Sequence, residues 1–529
     1  MNQFTRNVVA ALLAVPLLAS SALADTPPNV LVVAQNIDDI VAIDPAQAYE
    51  FTSSEIMANV YDRLVQYEAE DTTLLVGGLA ESWETDPENK TITFTLRDGV
   101  SFHSGNPVRA EDVIFSFSRV VTLAKNPAFI LTQLGWTPEN IGEMITADGN
   151  TITIRYAGDY SPNFVLNVLA ARPASIVDRE LVMENETDGD LGNAWLNQNT
   201  AGSGAFTLDA YRPSELLRFA ANADYYRGAP AMDSIIVRHV AEAATQQLLL
   251  QQGDVDIARN MTPEQIASLP DEGFEVGTYK QATVHFISYN LKVPELNNPA
   301  LWEASRYLID YDGLADTLLL GQMEKHQAFW PAGFPGALEE TPFSYDPERA
   351  IQILEDADVE LPITVELDVF NFAPFTDVAQ SIQASFAEAG INFEITPGTT
   401  AGIITKYRAR EHEAIMLYWG PDFNDPHSNA KAFAYNADNS DEAYISTTTW
   451  RNAWEVPEEM NERTMAALTE ADPEVRNEMY LDLQRDVQQT APFFIMFQGT
   501  LQIGMADNVE GYVHGASSDL VFYRLVEKD

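Results

Sequence analysis

Apolar residues along this chain fall into two alternating kinds of run. Short β-rich stretches take turns with longer segments in which apolar positions recur at three- and four-residue spacing. NVLVVAQ, from Asn29, is continuous and apolar, as a buried strand should be. After the polar connector NIDDIVAIDPAQAYEFTS, Ile56, Val60, Leu64 and Val65 recur at helical spacing in SSEIMANVYDRLVQY, with Ser53 or Ser54 placed to cap the start. Ile92, Phe94 and Leu96 then alternate with three threonines behind the turn DPENK, so LAESWETDPENKTITFTLRDGV reads as a strand pair. A second such strand, NTITIRY, follows Gly149. Between them RAEDVIFSFSRVV has an acidic first turn and one apolar face, the marks of a helix.

Residues 206–260 mix strands (AFTLDAY, LLRFAA, SIIVRHV) with a helix through AATQQLLLQQGDVDIA, and TVHFISYN at 283–290 is another strand. Helices follow in WEASRYLIDYDGLADTLL and DPERAIQILEDAD. PITVELDVF, DVAQSIQASFAEAG and INFEITPG read as strand, helix and strand, a βαβ unit with a parallel pair. The alternation continues to EAIMLYW, and PFFIMFQGTLQIGM near the end returns to strand. The pattern predicts an α/β protein with several mixed sheets and no internal repeat.

The first residues change the picture. MNQFTRNVVAALLAVPLLASSALA carries one positive side chain, Arg6, an apolar run from Val8 to Leu18 and the small-residue end Ala22-Leu23-Ala24. This is the pattern of a secretory signal peptide, residues 1–24, cleaved after Ala24. Its apolar run falls short of the ~20 residues that a membrane-spanning helix needs. With no later segment that long and apolar, the remainder is expected to be soluble. Cysteine is absent, which excludes disulfides, thiolate catalysis, cysteine metal sites and a lipid anchor at the cleavage site. An exported chain without an anchor, if it must stay near its cell, belongs in a periplasm.

Composition narrows the partners. With 46% apolar and 10% aromatic residues the chain can bury sizeable cores, enough for roughly three domains at ordinary domain size. The 79 acidic and 30 basic residues leave a formal charge of −49, which repels nucleic acid and anionic membrane surfaces. Catalytic signatures are missing: there is no G-x-S-x-G elbow, phosphate loop or H-E-x-x-H helix, and His412-Glu413 runs into AIMLY without a second histidine. The seven histidines (His103, His239, His285, His326, His412, His427, His514) are too scattered to imply a ligand set. An enzyme is not indicated, nor a metal or other cofactor.

AESWETDPENKTITFTLRDGVSFHSGNPVRAEDVIFSFSRV, Ala80 to Val120, resembles the signature region of the peptide/nickel-type (family 5, oligopeptide/dipeptide-binding-like) extracellular solute-binding proteins. GSGAFTLDAYRP, NADYYRGAPAMDSI, HFISYNLKVPELNNPALWEASRYLID, YDPERAIQIL and AQSIQASFAEAGI extend the likeness in the family's order. The resemblance implies a periplasmic binding protein-like two-lobed clamp with three domains. Domain I would take residues 25–65, 200–290 and 495–529, domain II 66–199, and domain III 291–494. It implies a monomeric receptor that captures a small peptide or similar amine-bearing solute and delivers it to the membrane subunits of an ABC importer. Opines, oligosaccharides and nickel chelates occur on the same scaffold, as do chaperone-like and sensory binders, and fold alone does not choose among them. Within the signature, Gly99 and Gly105 suit tight turns, Arg97 and Asp98 are expected to pair locally, and Glu111 and Asp112 favour a helix dipole. His103 belongs with these scaffold positions.

The ligand candidates lie in LYWGPDFNDPHSNA, Leu417 to Ala430. A strand ends at Trp419 and Gly420-Pro421 breaks it, so the polar residues after it sit at a strand's carboxyl end, where open α/β sheets bind ligands. In oligopeptide-binding relatives the aspartate three residues after the matching tryptophan pairs with the peptide's α-amino group, and here that residue is Asp422. Trp419 and Phe423 offer apolar or cation–π contact. Gly420, Asn424 and Asp425 complete the set, although Asp422 and Asp425 also suit a plain turn. Two departures stand out. FNFAPFTD lacks the arginine with which dipeptide-specific relatives hold the peptide carboxylate, and Met416 occupies the place of another.

Overall fold

The computed structural model describes residues 26–529 apart from 373 and 444–446. The export segment 1–24 and its cleavage site lie outside the described residues. Eleven strands form one mixed sheet. On one flank Ile363–Phe370 and Ile391–Gly398 run parallel, joined by the helix Phe375–Glu388, as the βαβ pattern requires. On the other flank Val30–Gln35 pairs in parallel with Ser234–His239 and with Ile257–Ala258. A strand covered on both faces reads as an unbroken apolar run, and five of its six residues are buried.

Two long strands, Glu275–Tyr289 and Phe493–Met505, join these flanks. Their antiparallel ladder pairs Glu275–Lys280 with Thr500–Met505, breaks, and resumes at Val284 opposite Gln498. Such a break bends a strand pair and sharpens its twist. At the break Ala282 N–H donates to Ala516 O, and Gln281 O accepts from Gln498 Nε2 at 2.9 Å. Gly499 faces it closely, since a Cβ there would lie 2.5 Å from Thr283 Oγ1.

A separate antiparallel sheet runs Ala80–Asp86, Thr91–Leu96, Thr151–Arg155, Ile145–Asp148. Its alternation sends Ile92, Phe94, Ile152 and Ile154 into a core shared with Val113, Phe117 and Val120 of the helix Ala110–Leu123. Burying each such side chain contributes about 1.5–3 kcal/mol. The same helix turns Arg119 the other way, into a buried two-pronged pair with Asp44 (2.7 and 2.5 Å) that Asn193 Nδ2 reinforces. That pair ties this module to the segment after the first strand.

Local expectations fail at three places. The helix at 51 starts earlier and ends sooner than its periodicity suggests, spanning Phe51–Val60, with Glu50 rather than a serine at its N-cap. Ser53 and Ser54 instead donate from inside the helix, to Ala42 O and Glu50 O. The helix stops because Gly204 N–H takes the Val60 carbonyl (2.9 Å), an approach so close that a Cβ on Gly204 would lie 2.6 Å from Asn59 O. Leu64 therefore sits at a bend and Val65 opens the short strand Val65–Tyr67. Arg97 does not pair with Asp98: its Nε donates to Gly78 O, and Asp98 accepts from Asn150 Nδ2. WEASRYLIDYDGLADTLL is divided, into Pro299–Tyr307 and Tyr311–Leu314, because Asp310 caps a new turn through Gly313 N–H (3.0 Å).

Candidate ligand-binding cleft

The strand Ala414–Trp419 lies between Glu275–Tyr289 and Ile363–Phe370, and its last residue faces Val284, beside the break in the long ladder. The next residue must be small, because a Cβ on Gly420 would stand 3.0 Å from Ala282 O. The chain leaves the sheet there and re-enters regular structure at the helix Pro426–Phe433. Trp419 ends the strand, and the other five candidates, Gly420, Asp422, Phe423, Asn424 and Asp425, occupy the loop between.

Asp425 is fully buried and completely engaged. Its two oxygens take a two-pronged bond from Arg476 (2.9 and 2.7 Å), one from Asn167 Nδ2 (3.0 Å), and the capping bond from His427 N–H (2.9 Å). Burial alone would raise its pKa, but Arg476 and these donors outweigh burial and hold it below the ordinary carboxylate value. Arg476 also donates from Nε to Ala467 O, so the loop is moored to the helix Pro473–Thr490.

Asp422 is held differently. Its N–H donates to Ser428 Oγ (2.9 Å), while its carboxylate accepts from the Tyr49 hydroxyl at 2.8 Å. The Arg172 guanidinium lies over the Tyr49 ring, 4.7 Å from its centroid. Burial raises the pKa of Asp422, and the Tyr49 hydrogen bond with the charges of Arg172 and Lys431 only partly offsets it. It is a partly desolvated carboxylate with nearby cations but no direct ion pair among the described residues. A cationic ligand group would satisfy it.

The remaining candidates line the same region. Trp419 packs edge-on to Phe433 (6.2 Å) with Arg451 over its ring (5.8 Å), and its Nε1–H is buried without an acceptor among the described residues. Phe423 meets Phe164 edge-on at 5.6 Å. The Asn424 carbonyl accepts from the Tyr67 hydroxyl (3.2 Å), which also donates to Asn167. Segments far apart in sequence thus close on one loop: Tyr49 and Tyr67 from near the start, Phe164, Asn167 and Arg172 from the second module, and Arg476 from behind. Sequence reasoning missed all six. Tyr49 lies in what reads as a polar connector, and nothing in its spacing points 373 positions ahead to Asp422.

His103 and His412 have scaffold partners, Gly204 O (2.9 Å) and Asn452 Oδ1 (2.8 Å). Among the described residues no group of three or more His, Cys, Asp or Glu is arranged to hold a metal ion, and no helix is long and apolar enough to cross a membrane.

Comparison with known proteins identifies the family. The model of the family "Bacterial extracellular solute-binding proteins, family 5 Middle" matches residues 75–441. The chain is 27% identical over 505 residues to the probable D,D-dipeptide-binding periplasmic protein DdpA of Escherichia coli K12, covering 94% of each. Its fold matches HbpA2 from Haemophilus parasuis with a TM-score of 0.80 at 22% identity, over 95% of this chain and 100% of that one. It also matches the periplasmic binding protein DppA from Helicobacter pylori, in complex with peptide STSA, with a TM-score of 0.73 at 23% identity, over 94% and 98%. The two-lobed α/β clamp is the fold of these receptors, and this chain belongs to the bacterial extracellular solute-binding proteins of family 5.

Proposed function

We propose that this protein is a periplasmic receptor that takes a small peptide, or another solute bearing an amine, between its lobes and hands it to an ABC importer. One observation carries the reading: a half-buried carboxylate, Asp422, faces groups of two other segments and has no direct counter-charge among the described residues. The D,D-dipeptide name of the E. coli relative and the peptide in the H. pylori structure support the choice of ligand. In this reading Asp422 receives the ligand's ammonium group, and Trp419, Gly420, Phe423 and Asn424 shape the pocket. Asp425 positions the loop. The lobes turn about the two long strands, whose ladder breaks beside the loop.

The division into three domains, with 25–65, 200–290 and 495–529 in the first, 66–199 in the second and 291–494 in the third, is part of the same proposal. So are a monomeric state, removal of residues 1–24, and the absence of catalysis, cofactor and nucleic-acid binding. Native mass spectrometry of the purified protein tests the ligand class. A ladder of peptide masses supports it, and one non-peptide mass sinks it.

Asp422→Asn is expected to weaken binding of the retained ligand tenfold or more, about 1.4 kcal/mol. Unchanged affinity by calorimetry would remove Asp422 from the site. Affinity should also depend on pH in a definite direction. Asp422 is half-buried against Tyr49 with Arg172 and Lys431 nearby, and desolvation raises its pKa, so it takes up a proton above the usual aspartate range. Its attraction for an ammonium group is present above that raised pKa and lost as the pH falls through it. Titrations at falling pH should show the loss in the wild type and not in Asp422→Asn. A loss of equal size in both proteins counts against the assignment.

A further inference from the structure

Arg63 is a buried cation near the candidate loop whose guanidinium is incompletely hydrogen-bonded. It follows Asp62 on the extended chain beyond the helix Phe51–Val60, and only 4% of it is exposed. Its Nε and Nη2 are buried and meet no acceptor among the described residues. An arginine cannot shed its charge to escape burial, and a buried guanidinium without hydrogen bonds is strongly disfavoured.

The surroundings do not resolve it. Asp519 attracts Arg63 through space but accepts its hydrogen bond from Ser517 Oγ (2.5 Å). Asp62 turns away to Ser203 Oγ (2.8 Å) and the hydroxyls of Tyr225 and Tyr226 (3.0 and 3.3 Å). Arg172 repels Arg63, and its own Nε is also buried without an acceptor. Arg227 and Arg524 are drawn off to Glu68. Arg63 lines a cavity of about 30 Å³ with Asn59, Tyr67 and Arg524. That volume admits a group of carboxylate size, since one water needs roughly 10–15 Å³ on the same measure. Tyr67 forms part of its wall and holds the Asn424 carbonyl, so the cavity adjoins the candidate loop.

The unmet groups here are all donors. The carboxylates around them are already engaged: Asp519 by Ser517 Oγ, Asp62 by Ser203 and two tyrosine hydroxyls, and Asp422 by the Tyr49 hydroxyl. We propose that Arg63, with Arg172 beside it, receives a carboxylate: the role of the arginines missing at FNFAPFTD and Met416 is taken by a residue of the other lobe. Two N–H groups of one guanidinium match two carboxylate oxygens, and a second cation alongside turns from a repulsion into a further contact. The inference rests on the receptor reading for the carboxylate's source, either the ligand's own carboxyl end or a free small carboxylate bound on its own.

The test uses the full mature chain as wild type, Arg63→Met and Arg63→Lys. The probes are the dipeptide Ala-Leu, its C-terminal amide, and sodium acetate without peptide. If the source is the ligand, calorimetry should show the wild type preferring Ala-Leu to the amide by roughly 10- to 100-fold, as for hydrogen bonds to a charged group. Arg63→Met should lose that preference while still folding, and Arg63→Lys should keep part of it. If wild type binds no dipeptide, the peptide reading fails, and acetate decides alone. Acetate raising the unfolding midpoint of wild type but not of Arg63→Met supports a free-carboxylate site. An undiminished preference for Ala-Leu in Arg63→Met overturns the proposal. So does a wild type indifferent both to the C-terminal carboxyl and to acetate. Arg63→Lys carries the comparison if Arg63→Met does not fold.

Discussion

Acidification from about pH 7.5 to about pH 5.5 is expected to lower the unfolding free energy of this protein by on the order of 5 kcal/mol. The cause is a set of histidines that burial keeps neutral. His285, His326 and His412 are pushed down to about 4, and His427 to about 3. The charges around them do not reverse this. His427 faces Asp425 but also Arg476 and Lys431, His326 faces Glu324 and Lys280, and His412 faces Lys406 and Arg410. The unfolded chain takes up these protons as the pH drops through about 6.5, whereas the folded chain resists until about 4. Stability is therefore complete above the unfolded value and drains away between the two, by about 1.4 kcal/mol per unit for each histidine. Asp62, Asp368 and Asp422, whose pKa values burial raises, protonate early in the folded state and return part of the loss. Urea midpoints at the two pH values check the result. An equal or higher midpoint in acid would contradict it.

Asp425→Ala is expected to cost about 3–5 kcal/mol of stability and to abolish ligand binding together. The substitution strands the Arg476 guanidinium, which is 1% exposed, and leaves Asn167 Nδ2 and the His427 N–H without their acceptor. The loop from Trp419 to Pro426 then loses its mooring. Asp422→Asn provides the contrast, since it should impair binding while leaving the urea midpoint nearly in place. Should Asp425→Ala unfold at the wild-type midpoint, Asp425 is no structural anchor and its carboxylate must be reassigned.

These two aspartates show what sequence can and cannot reveal. Each stands in a turn-forming context, three positions apart, and composition does not separate them. The resemblance marks Asp422, but the role of Asp425 depends on Arg476, 51 positions further along. The large elements were legible because their signals are local: the continuous run of Val30–Gln35, the alternation of Thr91–Leu96, the βαβ unit. Helix length was not. Leu64 and Val65 continue a helical period, and only Gly204, distant in sequence, ends the helix at Val60. Arg63 was hidden by the same misreading, since on a longer helix it would have passed for one more polar residue.

The central strands also dictate when this chain can finish folding. In the sheet of the described residues Val30–Gln35 connects to Glu275–Tyr289 through Ile257–Ala258 and Phe493–Met505, and Asn59 donates to the carbonyl of Val521, 462 positions away. A chain growing from its N-terminus lacks the strand Phe493–Met505 of its main sheet until residues beyond 493 have been made. Contacts of such long range form slowly. Until its last part is made, the main sheet lacks the strand that links its two flanks.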